Sequence, residues 1–224
     1  MTWRPVKLDL IFSLVIATSL PFVAGFLLAR TGAFLPLVLY YGLAWAFVKW
    51  RRGSIGYGNP FPAKPPWSFY LNVVVILGCL VCAWIAKIVN PNIQPLGILL
   101  TALVWAPLNA ATEQILWIYL FEAWDLYPEQ MKVAYRLIGL LLFAAFVGLI
   151  HAQFWAKFLT TVESGTFFGV LFIILTSVSG FLHIVVWRQS RQMVFTFIPH
   201  LMLNMVPLFW TYYSIVPYLF NPVG

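Results

Sequence analysis

With 224 residues, 62% of them hydrophobic and only 8% charged, the chain lacks the polar surface of a water-soluble domain of its length; such domains carry roughly 25% charged residues. Its net charge of +7 comes from basic residues spread singly along the sequence, which excludes the massed basic face of a nucleic-acid binder. The composition is that of an integral membrane protein, and the eleven Trp and ten Tyr suit interfacial aromatic belts.

Apolar stretches recur near the roughly 20 residues that cross a hydrocarbon core of about 30 Å. The first covers Leu8–Leu28, with Pro21 as a kink. No small-residue cleavage site follows it, so it reads as a retained first helix rather than a signal peptide. A second span covers Phe34–Val48, followed by the loop "KWRRGSIGYGNPFPAKPP", whose Gly and Pro forbid a helix. The third is Phe69–Val89, closed by "NPNIQP". It holds Cys79 and Cys82, which read as small apolar side chains because no second Cys pair exists to complete a zinc site. The fourth span, Leu96–Phe121, contains Glu113, and the polar stretch "EAWDLYPEQMK" leads to a fifth at Val133–Phe154. The sixth and seventh are Phe167–Trp187 and Phe195–Tyr218. The expected fold is therefore all-α: one polytopic transmembrane helix bundle of seven spans, residues 1–224 forming a single membrane domain.

Placing the N-terminus in the cytoplasm puts ten of the 13 Lys and Arg residues on the inner side. Only Arg30, Lys87 and Lys157 then face outward, as the positive-inside bias requires. The short loops suggest a prokaryotic plasma membrane.

An ionisable group within the bilayer costs roughly 2.5–3.5 kcal/mol on insertion scales, so such groups face the bundle interior and seek partners. Glu113, His151, His200 and Asn204 stand out on three spans. His200 and Asn204 are four residues apart and share one helical face. His183, close to Trp187 and Arg188, is expected at the membrane interface and outside the site. A carboxylate beside an imidazole in a dry pocket can activate water as a general base, and a His and an Asn amide can donate to a developing oxyanion. The bland alternative is interhelical hydrogen bonding by the same polar residues. Two His and a carboxylate are also a plausible zinc set, so residue types alone leave a metal open.

The order of these residues resembles the CPBP family, the CAAX-protease and bacteriocin-processing intramembrane proteases that include the Ras-converting CAAX endopeptidase. The family's first motif, roughly N-A-x-x-E-E-x-x-F-R-G, is similar to "NAATEQILWIY": Asn109, Ala110 and Glu113 match, and Trp117 takes the Phe position. "FVGLIH" resembles the second, F-x-x-x-H, through His151, with Val147 in the Phe position. His200 and Asn204 meet the third, H-x-x-x-N, and the resemblance covers residues 97–216. It implies a membrane endopeptidase of glutamate type, without metal or other cofactor. Its substrate would be a membrane-associated peptide or protein, lipidated or not, and nucleic acid would play no part. Glu113 and His151 would activate water while His200 and Asn204 form the oxyanion hole, with Asn109 and Gln114 beside them. The family's second Glu and its Arg are Gln114 and Ile118 here. Losing both members of a buried ion pair is compatible with a stable fold, so a catalytically inactive relative that binds or chaperones a membrane partner is the alternative. One further expectation concerns depth: His151 reaches the level of Glu113 only if the fifth helix enters the bilayer near Gly139 and continues through "AQFWAKFL".

Overall fold

The computed structural model describes residues 3–90, 93–127 and 131–223; the middle of the "NPNIQP" closure and residues 128–130 of the polar stretch before the fifth span lie outside them. The described residues are helical throughout their apolar stretches and contain no strand, only an isolated bridge between Lys87 and Val162. Among the described residues six helices are long and apolar enough to cross a membrane: Lys7–Thr31, Trp67–Ile85, Pro95–Asp125, Lys132–Lys157, Phe167–Ser190 and Val194–Thr211. Leu103, Leu141 and Val74 on these helices are 70%, 69% and 63% exposed. Apolar side chains turned outward around helices whose backbone bonds are satisfied internally are what a lipid solvent demands. The chain is an integral membrane protein.

The expected second span, Phe34–Val48, is helical but not one of the six. It is built from α2 (Phe34–Gly42), a widened π turn (Leu43–Phe47) and α3 (Val48–Arg52). Its last turn carries Lys49, Arg51 and Arg52, which lower its hydropathy.

The chain divides into two compact units, and residues of the motif-bearing stretch 97–216 fall in both. The first unit comprises Met1–Ile55, Ile115–Phe158 and Tyr218–Gly224. In it α1 (Lys7–Thr31) packs on α2 and on α7 (Lys132–Gln153). Gly25 permits that closeness, since a Cβ there would stand 2.7 Å from the carbonyl oxygen of Gln153. Tyr40 stacks on Phe146 at 6.1 Å between α2 and α7. The unit's carboxylates are met by arginines: Asp9 by Arg51 at 2.8 Å, Glu122 by Arg52 at 2.8 Å and Asp125 by Arg136 at 2.6 Å. These pairs fasten the start of α1 to the end of α3, and the end of the helix at Asp125 to the start of α7.

The second unit comprises Gly56–Gln114 and Leu159–Pro217. Here α4 (Trp67–Ile85) packs on α8 (Phe167–Ser190) and on α9 (Val194–Met205). Ile76, Cys79 and Leu80 form the contact with Leu175, Met202 and Leu203. Cys79 and Cys82 are buried free thiols that pack as apolar side chains. The short α5 (Pro95–Leu100) runs through a second π turn, Thr101–Trp105, into α6 (Ala106–Asp125). Pro107 lacks an N–H, and its ring presses on the carbonyl four residues back. A widened turn immediately before it relieves that clash. Residues of α6 up to Gln114 belong to this unit and those from Ile115 to the first.

Candidate functional site

The second unit holds a buried polar group assembled from two helices, α6 and α9. Asn109, Glu113 and Gln114 come from α6, and Asn109 and Glu113 are one turn apart on the same face. Asn109 Nδ2 donates to Glu113 Oε2 at 3.1 Å. His200 comes from α9, where Pro199 interrupts the backbone ladder immediately before it. Its Nε2 lies 3.1 Å from Glu113 Oε2, and its Nδ1 meets Gln114 Nε2. An amide nitrogen only donates, so His200 Nδ1 accepts and the ring proton sits on Nε2, directed at the carboxylate. Glu113, Gln114, Asn109 and His200 are all at least 95% buried.

Three polar atoms of this group are buried without a hydrogen-bond partner: Glu113 Oε1, Gln114 Oε1 and Asn204 Nδ2. Asn204 lies one turn beyond His200 on α9, on the face the sequence assigns to both. Buried polar atoms are ordinarily paired, and an unmade bond costs about 1–3 kcal/mol. Two acceptors and one donor of this group can therefore take hydrogen bonds from a bound molecule. Tyr57, in the loop before α4, donates to the Ala111 carbonyl at 2.8 Å and fixes the turn of α6 between Asn109 and Glu113. Burial pushes the Tyr57 phenol well above its ordinary pKa, so it stays protonated and remains a donor.

The structure brings Glu113, Gln114, Asn109 and His200 into contact but does not place His151 in such surroundings. His151 belongs to the first unit, is exposed on α7, and sets its Nδ1 against the Val147 carbonyl of its own helix at 2.8 Å. The expected continuation of that helix through "AQFWAKFL" is also replaced: α7 ends at Gln153, and a 3-10 turn, Trp155–Lys157, follows. A lone imidazole can satisfy itself on the preceding turn, which is what this one does.

His183, expected outside the site, is 3% exposed, with its ring 5.7 Å from that of His200 in an edge-on arrangement. Asn72 of α4 and Ser179 of α8, both buried, surround it. Asn72 is a polar residue in the middle of an apolar span, the same signal that exposed Glu113. Ser179 precedes His183 by four residues and so shares its face. Among the described residues no three His, Cys, Asp or Glu side chains converge as a metal-ligand set.

No family model, curated protein or solved structure matches the chain. The functional reading therefore rests on the geometry and on the motif resemblance.

Proposed function

We propose that the protein is an intramembrane endopeptidase of CPBP type that hydrolyses a peptide bond of a membrane-associated substrate, with a prokaryotic plasma membrane as its setting. The observation that carries this reading is the buried Glu113–His200 pair, whose second carboxylate oxygen is unpartnered; Asn204, one helical turn past His200, also has its Nδ2 unpartnered. The His200 Nε2–H holds Oε2, leaving Oε1 as the basic atom. Water placed there gives a proton to Oε1 while its oxygen attacks the substrate carbonyl carbon. The carbonyl oxygen gains the negative charge, and Asn204 Nδ2–H donates to it. As the carbon–nitrogen bond breaks, the proton on Glu113 passes to the leaving amine. His200 is assigned to the carboxylate rather than to the oxyanion, and His151 takes no part.

The test is cleavage of a bilayer-tethered peptide by the purified protein in lipid vesicles. The wild type should cleave, and Asn204→Ala should lose about 10²–10³ in kcat with little change in KM, as removal of an oxyanion donor does. A wild-type protein that leaves the peptide intact, or an Asn204→Ala variant at full rate, overturns the reading. One observation favours the second reading, an inactive CPBP-like protein that binds or chaperones a membrane partner. Both ring nitrogens of His200 are already engaged, and His151, the other imidazole the motifs supply, is exposed in the first unit. That reading expects no cleavage, and an intact cellular phenotype after Glu113→Gln.

A further inference from the structure

Behind His200 a second polar chain runs from α8 through α4 to α9. Ser179 Oγ donates to Asn72 Oδ1 at 2.7 Å, which turns the Asn72 amide nitrogen toward His183. Asn72 Nδ2 then lies 3.3 Å from His183 Nδ1, and His183 Nε2 lies 3.1 Å from the Thr196 carbonyl oxygen. Each group donates to the next when the His183 proton is on Nε2. The Ser179 carbonyl also approaches Nδ1, at 2.6 Å. With the proton on Nδ1 instead, that contact becomes a bond, but the Asn72 amide then faces another N–H and the Thr196 bond is lost.

The end of this chain falls in the turn of α9 before His200. Pro199 supplies no N–H to the ladder there and its ring crowds the Phe195 carbonyl, so that turn has one backbone bond fewer. The next residue is His200, whose ring meets that of His183 edge-on at 5.7 Å and 67°. A side chain from another helix thus meets this turn at its backbone and also packs against the imidazole that follows it.

We propose that His183 is a positioning residue for His200: by clamping the Thr196 carbonyl and packing against the ring, it keeps the His200 Nε2–H on Glu113. Its consequence for catalysis rests on the peptidase reading; its consequence for the imidazole does not. Freed of the clamp, the Pro199 turn relaxes, the ring swings, and Glu113 loses the donor that leaves Oε1 as its basic atom.

The chain has three His residues, so nitrogen NMR of the histidine-labelled full-length protein in lipid can be assigned by single substitutions. In the wild type both His183 and His200 should be neutral with the proton on Nε2. His183→Ala should shift His200 to a mixture of tautomers. His183→Gln, whose amide N–H can reach the same carbonyl, should restore the wild-type His200 signal. In the vesicle assay, His183→Ala should lower kcat by about a hundredfold at constant KM, as a misplacement near 1 Å does. The proposal is overturned by an unchanged His200 signal in His183→Ala, by failure of His183→Gln to restore it, or by a wild-type His183 proton on Nδ1. Should His183→Ala not fold, the wild-type tautomers and the Gln variant still decide. A wild type that cleaves nothing would sink the peptidase reading and leave the imidazole result to judge this one.

Discussion

In the first unit Asp9, Glu122 and Asp125 are buried and each rests against an arginine guanidinium, while in the second unit Glu113 is buried against an imidazole and an amide. Asp9 is held further by the Tyr119 hydroxyl at 3.1 Å and the Val6 N–H at 2.8 Å, so both of its oxygens are occupied. Glu113 keeps one oxygen without a partner. A carboxylate locked between fixed cations fastens helices together; its charge is spent on that contact. A carboxylate beside an imidazole and an amide keeps one oxygen open to a bound molecule. The contrast separates scaffold from chemistry within one chain.

The largest stability effect should come from breaking the first unit's pairing. Arg52→Met removes the guanidinium paired with buried Glu122, and should lower unfolding stability in mixed micelles by about 3–5 kcal/mol. The double variant Arg52→Met with Glu122→Leu should recover wild-type stability, because a matched apolar pair of similar volume replaces the ions. Equal losses in both would show that the pair is not what matters there. Next comes Gly25→Leu, which must push apart α1 and the end of α7 and should lose about 1–3 kcal/mol; a smaller loss would mean that the two helices separate easily. Glu113→Gln removes a charge but keeps the shape, and should change stability by about 1 kcal/mol or less. A loss as large as that of Arg52→Met would place Glu113 with the scaffold carboxylates and erase the distinction. The smallest effect is expected for the exposed His151→Ala, within about 0.5 kcal/mol by the same unfolding measurement.

The helices were legible because each is an apolar run of membrane length, and the spans around Glu113 and His200 could be read directly. The second span failed as an equal of the others because its apolar run stops before Lys49, Arg51 and Arg52, whose partners lie far away in sequence. Glu113, His200 and Asn204 stood out as polar residues in lipid-length helices, and the motif resemblance added Asn109 and Gln114. His151 gave the same signal, and its Nδ1 meets the carbonyl one turn back on its own helix. His183 was discounted for its nearness to Trp187 and Arg188. Yet Trp187 lies on the same face and is itself buried, so the rest of that face, Ser179 included, was the better guide. The π turn before Pro107 was hidden for a different reason: proline announces a disturbed ladder without saying whether the chain will kink, widen or stop.

The central claim is that Glu113 is reactive rather than adhesive, and it is tested most directly by measuring Glu113→Gln twice in one preparation. Cleavage of the bilayer-tethered peptide and unfolding in mixed micelles are followed side by side with the wild type. The account predicts that cleavage vanishes while the unfolding free energy stays within about 1 kcal/mol of wild type. Cleavage at the wild-type rate, or a collapse of stability that accounts for its loss, would contradict it.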